Sequence, residues 1–301
     1  MLIFALSTSG ALFAQTDDVS NNIFNVNPNP VISGTGLGAV LSSNVVSLAT
    51  PVGLEHDGAG NLLATDINDD TFHTIDQTGA PVNAGINTSM SGAPIGISTN
   101  GTNIFITDTV DDDVDIYDPS GNYISSFSVA ASSTFPEGIT YSSPDGNLYV
   151  VDGDATGDQV MQYDITGTLL NTFPIAGSSQ DGIALDLQRC VYWIYDSGTD
   201  TVRSYNNSFT QIDSFPGTGA AGFGNGEGVG VIGNSLFVMA TGNTTLVEFD
   251  ISAATPAANA SSFCGFLAAP VPVPSNNIYT LILLGLMMLV GSLFTFYKVR
   301  D

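Results

Sequence analysis

The chain has 301 residues, 43% of them apolar, which is enough for one large folded domain. It carries 29 acids against four bases, a formal net charge of −25. That field repels nucleic acid, whose binding rests on Lys and Arg contacts to phosphate, and other polyanions, while admitting divalent cations.

Residues 1–16 read as a leader: Met1 to about Ala14 is apolar like the core of a secretory signal, although no basic stretch precedes it. Residues 17–50 follow without a clear repeat unit, yet Asn22-Ile-Phe-Asn-Val-Asn27 matches Asn103-Ile-Phe-Ile-Thr-Asp108 further on. From Pro51 the chain becomes periodic. The glycines Gly53, Gly96, Gly138, Gly182 and Gly228 are spaced by 43, 42, 44 and 46 residues. Each opens a unit of four short apolar runs, as in the stretch from Phe135 to Phe173. The second run closes on Asp66, Asp108, Asp152 and Asp196, with Thr241 in the fifth unit. The third closes on Asp76, Asp118, Asp164, Asn206 and Asp250. Short alternating runs punctuated by Gly, Asp and Asn read as antiparallel strands joined by tight turns.

Four strands in a period of this length describe a propeller blade, because a lone four-stranded sheet cannot bury its faces and stacked blades can. The expected fold is therefore all-β, a β-propeller over residues 17–268. These 252 residues, divided by a 42-residue period, make six blades, the sixth split between the two termini so that no edge is left free. Five blades, with Val45–Leu48 completing the last, is the alternative. Pro51-Val-Gly-Leu, Pro94-Ile-Gly-Ile, Pro136-Glu-Gly-Ile and the run from Asp145 to Asp152 resemble NHL-repeat and gluconolactonase-like propellers.

Residues 269–277 alternate proline and read as an extended spacer. Residues 278–297 are twenty uncharged, mostly apolar residues, enough to cross a bilayer as a helix. Lys298 and Arg300 in the tail 298–301 place that end in the cytoplasm and the propeller outside. Val271-Pro-Val-Pro-Ser275, the helix and the basic end together resemble a bacterial PEP-CTERM sorting tail, with Val273 where that family has glutamate. The resemblance implies a cell-envelope protein handled by a sorting protease. Cys190 and Cys264 suit a single disulfide in an oxidising compartment, though their spacing of 74 does not show whether they meet.

Three units carry an acid just before the anchor glycine: Glu137, Asp181 and Glu227. In the propellers resembled, the first strand of each blade lies nearest the axis, so the three converge at one mouth. Clustered carboxylates are what Ca²⁺ requires. In gluconolactonase-like propellers an axial calcium polarises a substrate ester, and the resemblance extends that role to Glu137 first, then Asp181 and Glu227. The plainer reading makes them turn caps at a wet rim, just as solubility in a salty exterior explains the acidity without any ion. The Asp-rich loops at Asp66–Asp70, Asp108–Asp113 and Asp152–Asp158 lack the Gly and Glu of a calcium loop and read as solvated turns. His56 falls in the column of Leu185 and Val231 and reads as a packing residue; His73 lies in a third run. Gly217–Gly224 reads as a loop between blades.

With no nucleophile–base pair evident, the expected function is an exported, membrane-tethered module that binds a protein or a small-molecule ligand. The alternative is a calcium-dependent lactonase or esterase-like hydrolase.

Overall fold

The computed structural model describes residues 36–88, 92–153 and 158–264. The leader, the Asn22–Asn27 match, the spacer, the apolar helix and the basic end all lie outside the described residues. Within them no helix is long and apolar enough to cross a membrane.

Among the described residues twenty strands form five four-stranded antiparallel sheets. Strand β1 (Ala39–Val45) is the first of the described strands and is taken up last. Blade one is β2 (Pro51–His56), β3 (Leu62–Asp66), β4 (Thr71–Ile75) and β5 (Ile86–Asn87). Blade two is β6 (Pro94–Thr99), β7 (Ile104–Asp108), β8 (Asp113–Tyr117) and β9 (Tyr123–Ser128). Blade three is β10 (Pro136–Ser142), β11 (Asn147–Asp152), β12 (Gln159–Tyr163) and β13 (Leu169–Pro174). Blade four is β14 (Gln180–Asp186), β15 (Val191–Asp196), β16 (Thr201–Tyr205) and β17 (Gln211–Pro216). Blade five holds β18 (Gly226–Ile232), β19 (Ser235–Ala240) and β20 (Thr245–Asp250), and β1 pairs with β20 as its outer strand.

The ring closes on five blades, which corrects the expectation of six. Both termini do share one blade, but it is the fifth, and the strand that completes it is Ala39–Val45 rather than Val45–Leu48. Dividing the chain by its period counted residues 251–264, which form no strand, as part of a blade. After Asp250, residues 251–264 form a strap against blades four and five, burying Ile251, Ala254 and Ala257, and end in a short helix (Ala260–Phe263).

The anchor glycines make the ring close. A Cβ on Gly53 would overlap the Ile95 carbonyl oxygen, one on Gly96 the Glu137 carbonyl oxygen, and one on Gly182 the Glu227 carbonyl oxygen. Gly138 meets the backbone of Asp181–Ile183, and Gly228 meets that of Val52–Leu54, joining blade five to blade one. Each inner strand thus lies on the backbone of the next, an approach only glycine permits. Thr65 and Thr107 brace two of these seams: each hydroxyl accepts from its own anchor glycine N–H (2.8 and 2.7 Å) and donates to the next blade, at the Ile95 and Glu137 carbonyls. Apolar layers fill the space between blades. At the closing seam Leu54, Leu62 and Ala64 pack with Phe237, Met239 and Leu246.

The two series of acids have different duties. Those ending third strands make side-chain turns at the outer hairpins: Asp76 Oδ1 accepts from Thr78 N (2.8 Å) and Ala80 N (3.0 Å), and Asn206 Oδ1 does the same for Ser208 and Thr210. Of those ending second strands, Asp66, Asp108 and Asp152 are not the solvated turns expected. Asp66, Asp108, Asp152 and Asp196 are all buried, and Asp66 accepts from Ala49 N (2.7 Å) and Thr50 N (3.1 Å), clamping the incoming loop to its blade. Gly217–Gly224 is the loop between β17 and β18.

Cys190 and Cys264 form a disulfide, with Cα atoms 5.9 Å apart. It links the first turn of blade four to the end of the strap.

Candidate functional site

Every inner strand carries an irregularity at its start. Register shifts fall between Pro51 and Leu54, Pro94 and Ile97, Pro136 and Ile139, Gln180 and Gly182, and Gly226 and Val229. A bulge re-aims the residue it contains. Here that is the residue before the anchor glycine: Val52, Ile95, Glu137, Asp181 and Glu227 in turn. The last three bring one carboxylate oxygen each to within 4.8 Å of one another. An ion about 2.4 Å from each of three oxygens keeps those oxygens within that spread.

The group sits in a closing funnel. Beneath it the axis, lined by the anchor glycines with Val52, Ile95 and Ile183, encloses only about 10 Å³, room for a single water. Glu137 and Asp181 are each 7% exposed and Glu227 is half-buried. Asp181 accepts from Ser197 N (2.8 Å) and Ser197 Oγ (3.1 Å), and Glu227 from Thr241 Oγ1 (3.4 Å). No basic side chain among the described residues pairs with any of them; Arg189 and Arg203 are engaged by Asp186 and Asp196.

Three desolvated like charges without a counter-charge resist ionisation. Burial first, then the carboxylates of Asp181, Glu227 and Asp152, push Glu137 well above the usual range. Burial, then Glu227, raises Asp181 to about 8 against the opposing hydrogen bonds from Ser197. Burial raises Glu227, opposed by Thr241. Between the ordinary value of 3.8 and the folded value of about 8, the folded chain holds a proton on Asp181 that the unfolded chain has released. Stability from this group therefore falls as pH rises through that window. In chelator-treated protein the melting temperature is expected to drop from pH 5 to pH 8, and Asp181→Asn should flatten the dependence.

A second acidic group takes in both ends of the Asp108–Asp113 run, which the sequence reads as a solvated turn. Asp108, Asp113 and Asp115 also bring oxygens within 4.8 Å of one another, on blade two. Asp108 accepts from Val110 N (2.7 Å) and Gly92 N, and Asp115 accepts from the Tyr117 hydroxyl (3.3 Å). This group clamps the turn and its incoming loop.

The histidines lie away from the triad. His73 is on β4, its Nε2 3.0 Å from Thr71 Oγ1. His56 is not the packing residue expected; its side chain is 35% exposed at the opposite mouth of the ring, beside a buried Glu55. Glu55 was missed, although a signal existed: two positions after the anchor glycines stand Glu55, Ser98 and Thr140, a polar column on an inner strand.

No protein-family model matches the chain, and neither does any curated protein. Solved structures do. Glutaminyl cyclase from Myxococcus xanthus aligns with a TM-score of 0.54 at 15% identity, covering 71% of this chain and 96% of that one. A chain of a nidogen–laminin complex gives 0.51 at 20% identity, covering 67% and 76%. The chain is a five-bladed β-propeller. Virginiamycin B lyase from Staphylococcus aureus is also similar, with a TM-score of 0.45 at 16% identity over 66% of each chain. At these identities the likeness is one of fold, and function has to be argued from the site of this propeller itself.

Proposed function

We propose that the propeller is a binding module on the extracytoplasmic side of a membrane, and that its axial mouth takes a divalent cation as part of the binding surface. One observation carries this: Glu137, Asp181 and Glu227 converge, largely desolvated, with no basic partner among the described residues. A cation restores the missing counter-charge and lets all three ionise. Their oxygens, with waters or ligand oxygens above them, suit calcium, which accepts irregular shells of about six to eight oxygens. A protein or small-molecule ligand bearing carboxylate or hydroxyl oxygens would complete the shell from outside.

The tethered part of the proposal rests on residues 1–16 and 269–301, read as leader, spacer, membrane helix and basic end, with a sorting protease as a further partner. The strap adds support. Cys264 is held by disulfide to Cys190, on the turn between β14 and β15, and this turn lies at the end of the ring away from the triad. On this reading the tether would leave the ring from the end opposite the acid mouth.

The hydrolase alternative asks for a general base beside the cation, His56 or a carboxylate; His56 lines the other mouth, and the three carboxylates here would be taken up as ligands of the cation. The test is linkage. Chelator-treated full chain should melt higher when calcium is added, by about 2.7 kcal/mol of stability at a hundred times the dissociation constant. Glu137→Gln should weaken calcium binding at least about tenfold, since it removes one of three charges. A chain that holds no metal by elemental analysis and shows no thermal shift with calcium would leave the proposal without its site.

A further inference from the structure

The other end of the axis is built from the column two positions after the anchor glycines: Glu55, Ser98, Thr140, Ala184 and Gly230. Glu55 reaches from blade one toward blades two and three. Its Oε2 accepts from Thr140 Oγ1 at 2.8 Å and from Ser98 Oγ at 3.5 Å, and its Oε1 accepts from His56 N at 2.9 Å. Blades four and five offer it only Ala184 and Gly230.

This mouth opens into two adjoining hollows of about 260 and 200 Å³, both lined by His56, Gly58, Leu185 and Leu187. Glu55 lines the second, with Asp57, Thr99 and Asn100 on its polar side; Asp57 is held by the Asn61 and Ala59 N–H groups and the Asn61 side chain, which leaves Glu55 as the acid without such a cradle. Val231 and Ile232 extend the apolar side in the first. The rim turns carry Gly58, Gly60, Gly101 and Gly233, where a Cβ would meet nothing within 4 Å, so the entrance is open. An apolar wall facing a few convergent polar groups is the common form of a small-molecule site.

Its floor lacks a counter-charge. Glu55 is 4% exposed, and its one ionisable neighbour of opposite sign is His56, whose Nε2 lies 3.9 Å away. The His56 Nδ1 accepts the Gly58 N–H at 3.0 Å, so the neutral ring carries its proton on Nε2. Burial holds the Glu55 carboxyl above its ordinary range, against the weaker pull of His56 and the hydroxyls. A buried acid is costly without a cationic partner. An ammonium group has the positive charge this acid lacks, and the net charge of −25 draws cations toward the surface.

We propose that this second mouth binds a small primary alkylammonium, with Glu55 receiving the ammonium group and Leu185 and Leu187 covering the alkyl chain. The site is separate from the acid triad and does not depend on metal there.

The test is calorimetric titration of the full chain, in calcium-containing buffer, with n-butylammonium, methylammonium and n-butanol. Butylammonium should bind about tenfold more tightly than methylammonium, through partial burial of three further methylenes, and butanol should not bind. Glu55→Gln should weaken butylammonium at least about tenfold, a lost charge-assisted contact. Leu187→Ser should erase the chain-length preference while leaving methylammonium binding in place, a readout that stands even if the Glu55 variant fails to fold. Asp69→Asn, an exposed acid at the triad end, should change nothing. The proposal is overturned by no heat with butylammonium, by equal affinity for the two amines, or by full affinity in Glu55→Gln. It is equally overturned if Asp69→Asn weakens binding as much, which would mean diffuse attraction to an acidic surface.

Discussion

Gly228→Ala is expected to destabilise the propeller by about 3 kcal/mol or more, at the upper end of what a single overpacked methyl group causes. The added Cβ would press on Leu54 N, the Val52 carbonyl oxygen and Gly53 C, all of them backbone. No side chain can rotate away, so the inner strands of blades five and one must part. That seam also holds the cluster of Leu54, Leu62, Phe237 and Met239, and parting it opens the ring. Gly242→Ala is the matched control, because a Cβ there meets nothing within 4 Å and the residue has no positive φ. Urea unfolding of the two variants beside the parent decides the matter. If Gly228→Ala is as mild as Gly242→Ala, blades five and one are not in backbone contact and the closed five-blade ring is wrong.

The second large effect is expected at Arg189, one of two arginines among the described residues. It is 5% exposed, and its Nη1 lies 2.9 Å from Oδ2 of Asp186, itself 1% exposed. The same guanidinium donates to the Gly233 carbonyl (3.2 Å) and to Asn234 Oδ1, in the first turn of blade five. Asp186 also accepts from Trp193 Nε1 at 3.3 Å, which keeps the carboxylate in place when the arginine is removed. Arg189→Met should therefore cost about 3–5 kcal/mol, most of it the penalty of a buried charge left unpaired. The double variant Arg189→Met with Asp186→Leu should recover much of the loss, since neither desolvated charge remains. A single variant of near-parental stability would mean that water reaches Asp186 and that the two turns are not locked together.

The repeat was legible because it rests on backbone requirements. Each inner strand needs a glycine at one place, and each outer hairpin an Asp or Asn, so the pattern survives in residue types. The acid column Glu137, Asp181 and Glu227 was legible for the same reason: equivalent positions in successive blades are neighbours around an axis. His56 was misread because alternation within one strand separates faces of a sheet but not the depth of a residue along the axis. The buried clamps Asp66, Asp108 and Asp152 were misread as wet turns. Their partners lie in the preceding loop, such as Ala49 N–H for Asp66, seventeen residues away, and the Ser133 hydroxyl for Asp152, and no local pattern marks that pairing.

From the residues alone come the all-β character, the period near 43, the propeller, and which three acids share a column. Only the tertiary structure decided that five blades close the circle, with Ala39–Val45 as the last strand. The number of blades follows from the angle at which one sheet packs on the next, and that angle belongs to the seams rather than to any single repeat. It likewise decided that bulges turn the three carboxylates inward and that Cys190 meets Cys264, because a side chain's direction at an irregular strand and the distance between remote cysteines are properties of the folded path.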